Sequence, residues 1–155
     1  MLRYIKFSEL LRQAGIIGGS AMHFADQLFN SSYFQIVRIM VDITFKQFSL
    51  RKAIARATLT VSQSETMDAI LTKRVPKGDV LEMAKTAGLF AVKKTSDVIP
   101  DCHPLPIEFT AVRYTLSGLD IHIEVEVHTI YKTGVEVEAM HGASVVALTM
   151  YDMLK

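Results

Sequence analysis

The chain is expected to fold as an α+β domain: an antiparallel sheet with helices packed on one face. Two observations lead there. Strand-like alternation appears at 52–61 and again at 107–127, while helix-like periodicity fills 62–94 and 135–154. Strands and helices grouped in this way favour an antiparallel sheet over a repeated βαβ pattern. A third observation divides the chain. The stretch Ile-Pro-Asp-Cys-His-Pro-Leu-Pro-Ile-Glu at 99–108 holds three of the four prolines, a histidine and the only cysteine. Proline lacks an N–H and pushes the residue before it toward extended geometry, so Asp101, Cys102 and His103 sit on a stiff loop between regular elements. A rigid connector is the plain reading of that loop; a place where side chains are held for a ligand is the other.

With 155 residues, half of them apolar, the chain can bury one real core. Seventeen basic and 16 acidic residues leave a net charge of +1, which argues against a general nucleic-acid binder. One cysteine excludes an internal disulfide framework and suits a reducing compartment. Apolar runs fall short of the ~18 residues of a membrane span. Glu9, Arg12 and Gln13 interrupt any signal-peptide core. The expectation is a soluble cytoplasmic protein without membrane or nucleic-acid partners.

Residues 1–39 read as an extension or docking arm, with short helices at 8–14 and 21–29 and a strand at 33–41. From 52 to 61, Ala53, Ala55, Ala57, Leu59 and Val61 share one face; Lys52, Arg56, Thr58 and Thr60 share the other, with Ile54 the exception. This is a half-buried strand. Ser62-Gln63-Ser64-Glu65 fits a capping box opening a helix to Leu71. Lys73, Arg74 and Lys77 then place three cations in five residues before a helix that starts at Asp79. A basic loop at a helix N-terminus suits an anion, although Asp79 as a cap competes for the same N–H groups and solvated surface cations are the plainer reading. The helix 80–94 carries Val80, Met83, Ala84, Ala87 and Ala91 on one stripe and ends in Lys93-Lys94, cations that suit a helix C-terminus.

After the proline-rich loop come strands at 107–116 and 119–127, joined by a two-residue turn at Ser117-Gly118. Leu119, Ile121, Ile123, Val125 and Val127 alternate with Asp120, His122, Glu124, Glu126 and His128. Outward residues two apart on a strand lie ~7 Å apart, too far to close easily on one small ion, so no metal is expected there. Thr133-Gly134-Val135-Glu136 fits a second capping box. The helix it opens, 135–154, is kept thin by Ala139, Gly142, Ala143 and Ala147, as expected of a helix that is central or at a subunit interface. One polar line survives on it: Glu138, His141, Asp152 and Lys155. The order β–α–α–loop–β–β–α is similar to the ferredoxin-like split βαβ plan with its final strand absent. The free edge so created is left for 33–41 or for a neighbouring subunit to cover.

The chain resembles the MoaC family, the cyclic pyranopterin monophosphate synthases of molybdenum cofactor biosynthesis. Five blocks in the same order carry the resemblance: Met40-Val41-Asp42-Ile43; Lys77-Gly78-Asp79-Val80; Ile99-Pro100-x-Cys102-His103-Pro104-Leu105; Lys132-Thr133-Gly134-Val135-Glu136-Val137-Glu138-Ala139; and Ala147-Leu148-Thr149-x-Tyr151-Asp152-Met153-x-Lys155. It covers 40–155. It implies a ferredoxin-like fold, a hexamer built as a trimer of dimers with active sites at subunit interfaces, and no redox cofactor. It implies conversion of a 3′,8-cyclised dihydro-GTP into cyclic pyranopterin monophosphate with release of pyrophosphate.

The same resemblance puts catalytic roles on Lys77, Asp152 and Lys155, which are expected to converge, and substrate binding on Asp101, Cys102, His103, Glu136, Val137 and Glu138. Arg51, Lys93, Lys94 and His103 are the expected phosphate or ring contacts, with His103 in a cleft shared with Lys77. Three departures stand out. Asp101 replaces the family's usual leucine, residues 1–39 match nothing, and the family's basic C-terminal strand does not follow Lys155. The resemblance implies that such a truncated chain works less well than one that continues. The competing readings are a non-catalytic nucleotide-binding or assembly module on the same fold, and a fragment of a bifunctional protein.

Overall fold

The computed structural model describes residues 40–155. The helices read at 8–14 and 21–29, and the strand at 33–41, lie outside them except for Met40 and Val41, which belong to no strand. Strand β1 (Ser49–Thr60) leads to helices α1 (Ser64–Leu71), α2 (Val80–Lys93) and the single turn α3 (Thr95–Val98). The proline-rich loop follows, then β2 (Phe109–Ser117), β3 (Asp120–Tyr131) and α4 (Glu136–Leu154). The sheet is antiparallel throughout, in the order β1-β3-β2. Its central strand β3 packs on α4, and α2 lies against α4 and β2. The architecture is therefore α+β, a three-stranded antiparallel sheet with helices. No helix among the described residues is long and apolar enough to cross a membrane.

The alternation in β3 sets the core. Ile121, Ile123, Val125 and Val127 are at most 1% exposed, and they meet Ala139, Val146 and Met150 of α4, all at 0%. Each buried branched side chain contributes roughly 1.5–3 kcal/mol relative to exposure. β1 alternates in the same phase, but Ala53, Ala55, Ala57 and Leu59 are only half-buried, because β1 has no further strand beside it among the described residues.

The outward residues of β3 are taken up in pairs across the sheet. Arg56 meets Glu124 (2.8 Å); Arg113 reaches Glu124 (3.2 Å) and Glu126 (2.7 Å). Glu126 meets His128 (2.8 Å), whose ring stacks on Phe109. Leu50, Ile54 and Ile130 are exposed on this face.

Several local expectations shift. The hairpin turn is Gly118-Leu119, because Ser117 pairs with Asp120. Gly118 takes φ +59° at the first central position, where a type II′ turn needs it. Neither capping box forms. The cap positions fall on Gln63 and Val135, one and two residues later than the patterns require, and neither side chain caps. On α2 the buried line is Val80, Ala84, Gly88, Ala91 and Val92, while Met83 is exposed.

The thin side of α4 is used inside the chain. A Cβ on Gly142 would stand 2.6 Å from Val92 Cγ2 and 3.2 Å from Val125 Cγ1. A Cβ on Gly88 would collide with Val146. What α4 offers outward is Met140, Leu148 and Tyr151, beside Met83 and Phe90 of α2.

Gly142→Ala is expected to lower stability. Overpacking of about 1–3 kcal/mol exceeds the gain of up to ~1 kcal/mol from helix propensity. Urea unfolding of the single variants and of Gly142→Ala with Val92→Ala checks this: the pair should couple by about 1 kcal/mol, since truncating Val92 removes the blocking methyl.

Candidate active site

The residues of interest hang on the two ends of α4. At its C-terminal end, Asp152 Oδ1 accepts from Lys155 Nζ (2.7 Å) and Oδ2 from Lys77 Nζ (3.3 Å). Lys77 also donates to the main-chain carbonyl of Asp152. Three residues apart on one helix, Asp152 and Lys155 share a face. Lys77 arrives on a tight loop in which the Gly78 N–H donates to the Val75 carbonyl (3.0 Å) and Gly78 takes φ +108°. Hydrogen bonds from Lys155, then Lys77, hold the Asp152 carboxyl below the usual carboxylate range, so it stays an anion well into acid. All three side chains are about half exposed. Ion pairs so exposed are screened by water, so the cluster does little for folding.

The basic loop does not leave a helix N-terminus open to an anion. Asp79 Oδ1 accepts from the Glu82 N–H (3.2 Å), and Lys73 pairs with Asp79 (2.9 Å).

At the other end of α4, Glu138 is only 2% exposed. The Cys102 thiol donates to its Oε1 (3.1 Å), and Oε2 has no partner. Beside it lies a cavity of about 10 Å³, lined in part by Lys93, Thr95, Ser96, His103 and Leu105, with room for about one water. His103 is partly buried, and its Nε2–H donates to the Val41 carbonyl (2.9 Å). Thr95, 2% exposed, donates its hydroxyl proton to the carbonyls of Ala91 (3.0 Å) and Val92 (3.2 Å). Its oxygen therefore accepts from His141 Nδ1–H (3.2 Å). Burial, then the Glu138 carboxylate, pushes the Cys102 thiol up to about 12.

The remaining expected residues cluster less tightly. Lys94 pairs with Asp97 (3.0 Å), and Asp101 is exposed. Glu136 folds its carboxylate over Gly134, and Val137 is 38% exposed. Arg51 Nε approaches the Tyr131 carbonyl (3.4 Å), at the end of the sheet where α4 begins.

Lys77, Asp152 and Lys155 meet as one group; Cys102, His103, Lys93 and Glu138 meet as another. The two do not meet within the chain. At ~1.5 Å per residue, Glu138 and Asp152 are about 21 Å apart along α4. The expected cleft shared by His103 and Lys77 is therefore not formed by one chain, because a straight helix holds its walls apart. Two contributors escaped the sequence reading. Thr95 carries no motif, and the Val41 carbonyl is main chain, which no residue type announces. Among the described residues no group of three metal-ligating side chains occurs.

A carboxylate that holds two ammoniums, and a buried carboxylate facing a small polar cavity, make a candidate acid–base site in two parts. The MoaC family model matches residues 40–155, and the chain belongs to that family. Relatives agree. The probable cyclic pyranopterin monophosphate synthase of Sulfurisphaera tokodaii is 45% identical over 118 residues, 75% of this chain and 76% of that protein. The cyclic pyranopterin monophosphate synthase of Listeria monocytogenes is 45% identical over 117 residues, 75% of this chain and 72% of its own. That of Pelobacter propionicus is 49% identical over 119 residues, 76% and 74% of the two chains.

With its thiol pushed up to about 12, Cys102 is almost entirely protonated at pH 8. The native protein should react with a thiol-exchange reagent far more slowly than the unfolded chain. Glu138→Gln should speed the reaction by removing the neighbouring charge, though only in part, since burial remains. Rates measured from pH 7 to 10 check both.

Proposed function

We propose that this chain is a cyclic pyranopterin monophosphate synthase, a lyase of molybdenum cofactor biosynthesis. It converts (8S)-3′,8-cyclo-7,8-dihydroguanosine 5′-triphosphate into cyclic pyranopterin monophosphate and diphosphate. The relatives carry the synthase name across three quarters of the chain. The observation that carries the reading in this chain is the Lys77–Asp152–Lys155 cluster, which supplies two proton-bearing ammoniums on one fixed anion.

The reaction moves protons to open and rebuild a purine-derived ring, then closes a cyclic phosphate. A ring hydroxyl oxygen attacks the α-phosphorus and loses its proton to a base, and the bond to the β-phosphate breaks as diphosphate leaves. In this reading Lys77 and Lys155 give and take the protons, and Asp152 orients both. The unpaired Oε2 of Glu138 accepts N–H donors of the guanine-derived ring, with the neutral thiol of Cys102 holding the other oxygen. His103, Lys93, Lys94 and Arg51 take phosphate charge, while Asp101, Glu136 and Val137 border the bound nucleotide.

Groups that react together must stand within about 3–3.5 Å of the reacting atoms. The two half-sites cannot do so in one chain, because α4 holds them about 21 Å apart. The reading therefore includes a homo-oligomer in which one chain's Glu138 pocket faces another chain's Asp152 cluster. A hexamer built as a trimer of dimers needs two kinds of contact. Two apolar surfaces are available for them: Leu50, Ile54 and Ile130 on the sheet, and Met140, Leu148, Tyr151 and Phe90 on the helices. The reading also includes a synthase domain at 40–155, a ferredoxin-like plan with the free edge of β1 as the place of a further strand, and a cytoplasmic setting.

Turnover of the cyclised dihydro-GTP by the full chain tests the function, and mixing tests the composite site. Lys77→Ala and Glu138→Gln should each abolish turnover when alone. Unfolded together and refolded as mixed oligomers, they should recover up to about a quarter of wild-type activity, because some sites then receive two intact halves. Continued silence of the mixture, with oligomers present, would refute the composite arrangement.

A further inference from the structure

Helix α1 ends in a Schellman motif with an unusual occupant. The Arg74 N–H donates to the Ala69 carbonyl (2.8 Å), and the Lys73 N–H to the Ile70 carbonyl (3.2 Å). Lys73 holds the left-handed position, φ 55°, where glycine is usual. This closes the helix and fixes the main chain at Arg74.

The Arg74 side chain is fixed as well. Its Nε–H donates to Thr72 Oγ1 (2.8 Å), and the Thr72 hydroxyl gives its only proton to the Asp68 carbonyl (2.5 Å). Thr72 Oγ1 is therefore an acceptor toward the arginine. Tethered at Nε, the guanidinium keeps both η nitrogens for another partner. Among the described residues no carboxylate takes them, whereas its neighbours Lys73 and Lys77 are paired with Asp79 and Asp152.

Arg74, Lys77 and Lys155 line one cleft of about 350 Å³. Among the side chains there, three cations stand with two carboxylates, Glu65 on the wall and Asp152 between the lysines. A planar fork anchored at one edge, beside two ammoniums, matches the oxygens of a phosphate. The geometry points to Arg74 as an oxyanion-binding residue of this cleft, one that takes the terminal phosphates of the substrate and the diphosphate product. The naming of that oxyanion rests on the proposed function; the anchored fork does not.

The test is calorimetric titration of inorganic pyrophosphate into the full chain. Arg74→Ala is expected to weaken binding about tenfold. Arg74→Lys, which keeps the charge without the fork, should recover only part. Thr72→Val, which keeps the arginine and loses its tether, should fall between. Lys73→Gln removes the same charge one residue away and should leave binding near wild type. Equal losses in Arg74→Ala and Lys73→Gln, no loss in Arg74→Ala, or no binding by the wild-type chain would each overturn the assignment. Turnover separates it from the functional reading. Pyrophosphate bound through Arg74 without turnover of the cyclised nucleotide sinks the synthase reading and leaves the oxyanion position standing. Turnover with pyrophosphate inhibition unchanged in Arg74→Ala does the reverse.

Discussion

Where α2 crosses α4, Gly88 and Gly142 face each other with no side chain on either, so that α4 lies close to α2 and to Val125 of β3 at once. That contact clamps a 19-residue helix near its middle. Ala139, Ala143, Val146 and Met150 extend the seam in both directions, and β3 supplies four fully buried branched residues beneath it. A helix so held cannot tilt without opening a cavity or forcing an overlap, both of which a packed interior resists. The polar ends of α4, which carry the groups of interest, inherit their positions from this apolar middle.

The two ends differ in what they cost the fold. The Asp152 cluster is half exposed, and its ion pairs are nearly neutral for stability. Glu138 is buried, and no other group of the described residues satisfies its second oxygen. Neither arrangement is what folding alone would select. On the sheet's outer face, by contrast, every acidic group of the Arg56–Glu124–Arg113–Glu126 ladder has a basic neighbour, which is ordinary cross-strand pairing.

Much of the architecture was legible because burial has a period. The alternation from Ile121 to Val127 marks β3 unmistakably, and the apolar length of 135–154 marks α4. Ends were less legible. A capping box is a pattern of four residues, and it fails when the helix starts one or two residues later, as it does after Gln63 and Val135. Gly142 reads as a smooth surface from sequence; only the position of Val92 shows that the smoothness is used within the chain. At the site, the spacing of Asp152 and Lys155 predicts their contact. The approach of Lys77 rests on tertiary structure and was reached through family resemblance. The resemblance already implied active sites at subunit interfaces; it did not announce the separation of the two groups along α4. The helix length already contained it.

That length has an angular side. Each residue of an α-helix turns the chain by about 100°, so the steps from Glu138 to Asp152 bring the two back to within about 40° of one another. Helix α4 is therefore a protractor as well as a ruler. A single insertion or deletion between Ala139 and Tyr151 would swing one end by roughly 100° against the other and throw the buried seam out of phase. A surface position such as Ser144 tolerates exchange of side chain far better than any change in count.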